Sequence, residues 1–224
     1  YPIDQMAEID EPEKCTNADA EMRIPGQSLI AGLLVLFAVG SFGAPQDNWY
    51  AERDRDFGLI GEGGMRYPID VLHGANGKVY VIESDKDRAQ FLNAQGEVFA
   101  TGWAGDNPLA AAYGNGKLFV ISVNSDRVTV FDENGTTLYS FGSRGSGNGQ
   151  FESAYGIAAA HYGNELEIFV SDDSYNRVQV FGETGNFKRK FSLVNGYPRG
   201  IAIDHNGSVY VADRSDLVNV YDRY

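Results

Sequence analysis

Cysteine is almost missing from this chain. Of 224 residues only Cys15 carries a thiol, so no disulfide can form within one copy and no CxxC motif exists. No small-apolar signal precedes Cys15, and it reads as an ordinary thiol rather than a lipid-attachment site. Histidine is scarce too, with His73, His161 and His205 the whole supply. Zinc needs several ligands converging on one point. These three share no recurrent position, so no metal site and no cofactor is expected. No Ser-His-Asp arrangement or phosphate-binding loop stands out, and no catalytic residue is assigned. Basic residues are outnumbered, 18 Lys and Arg against 31 Asp and Glu, for a net charge of −13. That balance argues against nucleic acid as a partner, because a phosphate backbone needs a cationic surface.

Long apolar runs are missing as well, with one exception. Residues 28–44 are almost wholly apolar, and no charge falls between Ile24 and Gln46. As a helix rising about 1.5 Å per residue, such a run is just long enough to cross a bilayer core. A cleavable signal peptide is the alternative, with Met22-Arg23 as its basic start and Ser41-Phe42-Gly43 as its small-x-small site. The run is part of the chain, which favours a retained signal-anchor. Ser28, Gly32, Leu36, Gly40 and Ala44 would share one face of that helix, and small residues permit close helix packing in a membrane. The expected organisation is a polar acidic tail over 1–23, a transmembrane or signal-anchor helix over 24–45, and one all-β domain over 46–224. The expected location is a single-pass membrane protein with its large domain on the periplasmic or extracellular side.

What the chain has in abundance is glycine, 27 residues, and aromatics, 12%. Both suit many short strands joined by tight turns. Residues 145–181 show the pattern. Gly145-Ser146-Gly147-Asn148-Gly149-Gln150-Phe151 leads to Gly156-Ile157-Ala158, then Phe169-Val170-Ser171-Asp172, then Asn176-Arg177-Val178-Gln179-Val180-Phe181. Apolar runs bounded by Gly, Asn, Asp and Ser are strand signals. The pattern recurs. Val79, Leu118, Ile168 and Val209 mark equivalent second strands, spaced by about 40 residues, with the middle step longer. Gly77, Gly116, Gly163 and Gly207 recur between first and second strands, and Gly96, Gly135 and Gly185 after third strands. Arg88, Arg127 and Arg177 recur at the start of third strands, where the arginine fork suits neighbouring loop carbonyls. The fourth unit has Leu217 there instead.

These motifs, in this order and spacing, resemble NHL repeats over residues 50–224. The resemblance implies an NHL-type β-propeller with about four recognisable blades. A spare strand over 50–57 and a fourth unit lacking its last strand suggest closure by strand exchange. Family propellers usually have six blades, so a four-bladed ring, an open arc completed by a partner and a two-chain eight-bladed ring all stay open. Some family members are metal-dependent lyases of peptidyl-hydroxyglycine, which gives the alternative reading of an exported lyase or hydrolase using the channel. The positions expected to line that channel are Asp70, Ala110, Gly156 and Gly200, with Tyr155 and Arg199 at its mouth. One carboxylate among small residues is a poor acid–base set. The favoured expectation is a non-catalytic scaffold that binds other protein subunits of a membrane complex, with the lipid bilayer contacted through 24–45. Its docking loops are expected around Asn107, Arg144, Asn148, Gln150 and Tyr162, where repeat lengths are irregular.

Overall fold

The computed structural model describes residues 64–193 and 196–222. The described residues all belong to one compact unit. The expected tail, membrane helix and spare strand lie outside the described residues. Among those described there is no α-helix, and no helix long and apolar enough to cross a membrane.

Among the described residues fifteen strands form four antiparallel sheets, each built from strands consecutive in sequence. The first sheet holds β1 (Pro68–His73), β2 (Val79–Glu83), β3 (Arg88–Leu92) and β4 (Val98–Trp103). The second holds β5 (Pro108–Gly114), β6 (Lys117–Ser122), β7 (Arg127–Asp132) and β8 (Thr137–Phe141). The third holds β9 (Ala154–Tyr162), β10 (Glu165–Asp172), β11 (Arg177–Gly182) and β12 (Phe187–Ser192). The fourth has three strands among the described residues: β13 (Pro198–Ile203), β14 (Val209–Asp213) and β15 (Val218–Tyr221).

Local chemistry sets each hairpin. Asn115-Gly116 turns β5 into β6 with both residues at positive φ, 50° and 69°, as a two-residue hairpin turn demands. The turn before each third strand ends on Asp87, Asp126, Asn176 or Asp216, all at positive φ. Asp and Asn are among the few non-glycine residues that tolerate that region. After the third strands, Asn93 Oδ1 accepts from the amides of Gln95 and Glu97, and Asp132 Oδ1 from those of Asn134 and Thr136. Gly96 and Gly135 complete those turns at positive φ.

The sheets pack face to face in series. Three apolar clusters fill the seams. Tyr80, Ile82 and Phe91 of the first sheet meet Leu118, Val120 and Phe131 of the second. Phe119, Ile121 and Val130 of the second meet Ile157, Ile168 and Val170 of the third. Phe169, Val178 and Val180 of the third meet Val209 and Val211 of the fourth. The first strands carry most of each seam, β1 on β5, β5 on β9 and β9 on β13. Because successive side chains of a strand point to opposite faces, the two middle strands of a sheet are apolar on both sides. This is why β6, β10 and β11 are buried along nearly their whole length, polar residues such as Arg177 and Gln179 included.

Candidate functional site

The first strands of successive sheets begin side by side, so their entry loops gather at one end of the seams. Ser153 and Asn107, the residues just before or at these entries, take φ of 65° and 54°. Between the second and third sheets these loops enclose a cleft of about 450 Å³. Its walls include Asn107, Asn124, Asp126, Arg144, Glu152 and Tyr155.

The groups in the cleft hold one another. Arg144 Nη2 lies 2.8 Å from Glu152 Oε1, and the Tyr175 hydroxyl donates to Glu152 Oε2 at 3.0 Å. Hydrogen bonding from Arg144 keeps the Glu152 carboxyl below its ordinary range, and the same contact raises Arg144. Burial pushes Asp126 up, against the attraction of Arg144. At the edge of the cleft, the Arg199 guanidinium stacks 3.5 Å from the centroid of the Tyr155 ring. Arg199 Nε stands 3.5 Å from Asp173 Oδ1. Such a stack fixes the tyrosine's orientation while leaving donors of the planar fork for other partners.

The loop over 144–151 forms one rim. It is pinned from inside the third sheet. Arg177 donates from Nη1 to the Ser146 carbonyl at 2.6 Å and from Nη2 to the Gln150 carbonyl at 2.8 Å, while its Nε bonds Asp172 at 2.9 Å. Gln179 adds a bond to the Gln150 carbonyl and accepts one from the Gly149 amide. In the first sheet Arg88 makes the matching reach to the Gly64 carbonyl and pairs with Glu83. Arg88 and Arg177 are thus straps for the loops entering their own sheets.

Asn107, Arg144 and Tyr155 come together in the cleft. Asn148 is exposed on the rim loop, whereas the Gln150 side chain turns inward and accepts the Gly147 amide. The Asn107 side chain is engaged by Ser84. Tyr162 lies at the opposite end of β9, where its hydroxyl donates to the Gly207 carbonyl. Asp70 is not an open carboxylate: it accepts from the amides of Val71 and, across the first seam, Ala111, at 2.9 and 2.8 Å. Burial raises its pKa, and the two amides oppose that rise. Glu152, Tyr175 and Asp126 were missed in the sequence. The adjacency of Glu152 to the Gly-rich loop was the available signal. Among the described residues no group of three His, Cys, Asp or Glu is placed to hold a metal.

No family model matches the chain. Over 98 residues it is 30% identical to the protein brain tumor of Drosophila melanogaster, a match covering 43% of this chain and 9% of that one. It is similar to virginiamycin B lyase from Staphylococcus aureus, with a TM-score of 0.55 and 14% identity over 69% of this chain and 55% of the other. It is similar also to the WD40 β-propeller domain of Doa1, with a TM-score of 0.56 and 17% identity over 70% and 51%. The fold is that of a β-propeller. At these identities the likeness is one of architecture, and the same architecture serves a lyase and other proteins. The chain spans about half the length of these two structures and 9% of the brain tumor protein.

Proposed function

We propose that this chain is a non-catalytic, NHL-type propeller that binds another protein subunit at the cleft between its second and third blades. The observation that carries this reading is the pairing of charged groups at the cleft. Arg144 and Tyr175 are committed to Glu152, Asp126 faces Arg144 and the Ser153 amide, and in the first sheet Asp70 accepts from two backbone amides. A general acid or base needs an unengaged group of tuned pKa beside its substrate. An ordered, mixed-charge loop surface on a rigid scaffold is instead the usual ground for recognition. The uninterrupted apolar run over 24–45 supports placing the propeller in a single-pass membrane protein, facing the periplasm or the exterior, as part of a membrane complex.

The test uses the full chain in native membranes. It is expected to resist carbonate extraction and, in mild detergent, to copurify with a defined polypeptide. Arg144→Glu opposes like charges at Glu152 and is expected to release that polypeptide while leaving the melting temperature within a degree or two. Purification as a lone chain that cleaves virginiamycin B would replace the docking reading with the lyase one.

A further inference from the structure

The turn from β7 to β8 carries Asp132-Glu133-Asn134-Gly135-Thr136. Asn-x-Thr, with x other than proline, is the acceptor sequence for N-linked glycosylation. The turn itself asks for only part of this run. Asp132 Oδ1 accepts from the amides of Asn134 and Thr136 at 2.9 and 2.8 Å, and the Gly135 amide bonds the Asp132 carbonyl. Gly135 has a φ of 85°, and a Cβ there would lie 2.7 Å from that of Ala100. Asp132 and Gly135 thus serve the turn, as an Asx acceptor and a positive-φ residue.

The turn does not ask for Asn134 and Thr136. The first sheet builds the same turn as Asn93-Ala94-Gln95-Gly96-Glu97 and the third as Gly182-Glu183-Thr184-Gly185-Asn186, each with the glycine amide bonded to the first carbonyl. In those two turns the side chains are used locally. Asn93 donates to Glu97 Oε2 at 2.8 Å, and the Thr184 hydroxyl donates to Asn186 Oδ1 at 2.8 Å. In the second sheet neither the Asn134 side-chain amide nor the Thr136 hydroxyl has a hydrogen-bond partner among the described residues.

The rest of the turn is held down. Lys78, just before β2, donates to the Glu133 carbonyl at 3.0 Å, Tyr113 donates to the Glu133 carboxylate, and Gly135 lies against Ala100 and Phe91. Of the five residues only Asn134 and Thr136 are exposed. Their place in the fold is remote from the cleft. β7 starts beside Asp126, one wall of the cleft, and runs away from it, so the turn lies at the opposite end of the second sheet. The fourth sheet repeats the run as Asp204-His205-Asn206-Gly207-Ser208, with both amides again on Asp204 Oδ1.

We propose that Asn134 is a site of N-linked glycosylation, taking an oligosaccharide from a lipid pyrophosphate carrier through a membrane transferase. The Asn134 side-chain nitrogen bonds to C1 of the first sugar, and the bond from C1 to the pyrophosphate oxygen breaks. The lipid pyrophosphate leaves, and one amide proton goes to solvent. Asn134 meets that transferase only because the propeller faces the exterior, as proposed above. The attached sugar is bulky and solubilising. At this end of the sheet it covers the turn and leaves the docking cleft open.

The full chain made in insect cells tests this. An amidase that cuts N-linked sugars from asparagine is expected to lower its apparent mass and, in heavy-oxygen water, to leave labelled aspartate at position 134. A sample held in the same water without the amidase sets the background of spontaneous Asn-Gly deamidation. Thr136→Ser is expected to keep the sugar and Thr136→Ala to lose it, with unchanged unfolding midpoints, because the hydroxyl completes the acceptor and bonds nothing in the turn. Sugar at position 134 that survives Thr136→Ala overturns the proposal. So does an unmodified Asn134 in a propeller that sealed microsomes shield from added protease. The exterior placement stands in that case, since the microsome lumen is the exterior side. A propeller digested by protease in sealed microsomes overturns both.

Discussion

The third and fourth sheets share a register and differ in completeness. The third has four strands, a strapped entry loop, and β10 and β11 buried on both faces. Among the described residues the fourth has three strands, with Leu217 rather than arginine at the strap position, and Tyr210, Val218 and Val220 of its back face are exposed. Equivalent side chains therefore carry different weights. A phenylalanine or valine contributes little by its identity alone. Its contribution comes from the area that the next sheet takes away from water, at about 25 cal/mol per Å² of apolar surface.

The largest expected contrast follows directly. Phe169→Ala removes a ring that is 1% exposed and wedged among Val178, Val180 and Val209. It should cost about 3–5 kcal/mol, because the seam cannot collapse to fill the cavity. Tyr210→Ala, at the same register place, should cost under about 1 kcal/mol in the isolated chain. Urea unfolding of both variants measures the difference. Equal losses would mean that the fourth sheet's back face is covered in solution, and repeating the pair at higher protein concentration would show whether a second copy does it.

The strap gives the next contrast. Arg177 is 5% exposed and pairs with Asp172, which is fully buried. The fourth sheet keeps the acid, Asp213, whose carboxylate is served by the Ser215 amide and Asn219, and puts exposed Leu217 in the arginine's place. Arg177→Leu makes the third sheet resemble the fourth, but leaves a buried carboxylate without its partner. The expected loss is about 3 kcal/mol, with faster proteolysis in 144–151. Burial already holds the Asp172 carboxyl above its ordinary range even with Arg177 present. A carboxyl raised in the folded state destabilises at high pH and recovers stability as pH falls through its folded pKa. The deficit of Arg177→Leu should therefore shrink on acidification. Leu217→Arg in the fourth sheet should stay within about 0.5 kcal/mol of wild type.

The repeat architecture was legible because its signals are local. Gly77, Gly116 and Gly163 fall at positive φ between first and second strands, and Gly96, Gly135 and Gly185 after third strands, as their spacing indicates. Arg88 and Arg177 were legible as loop anchors because the arginine recurs at one place in the repeat, and each holds the loop that enters its own sheet. The candidate site was read less well. Strand position put Asp70 among the expected channel residues but could not say what bonds it, because its partner Ala111 is in the next sheet. Tyr162 and Asn107 both flank irregular repeats, yet lie at opposite ends of their sheets. Loop length alone does not tell one end from the other.

The smallest contrast isolates the fourth strand. Arg189 and Lys188 sit on β12, the strand type that the fourth sheet lacks among the described residues. Arg189 reaches back to Glu167 of β10 with two bonds of 2.8 Å, and Lys188 adds a third at 3.2 Å. The Arg189 hydrogen bonds hold Glu167 below its ordinary range against the opposing effect of burial. A carboxyl lowered in the folded state contributes stability above its unfolded pKa and loses it as pH falls through the folded one. The contribution is therefore present at neutral pH and disappears below the usual glutamate range. The Arg189 side chain is 34% exposed, so solvent screens the pair and the whole effect should be at most about 1 kcal/mol. Glu167→Gln should lower stability slightly at neutral pH and make the acid limb of the stability curve shallower, with the two proteins converging below that range. In the fourth sheet the matching position is Ser208, which has no carboxylate to titrate. Ser208→Glu should leave the acid limb as it is in a single copy, because β15 carries no basic residue to receive it. A steeper acid limb in Ser208→Glu would mean that a fourth strand bearing a cation does pair with β15, which unfolding curves between neutral and acid pH can decide.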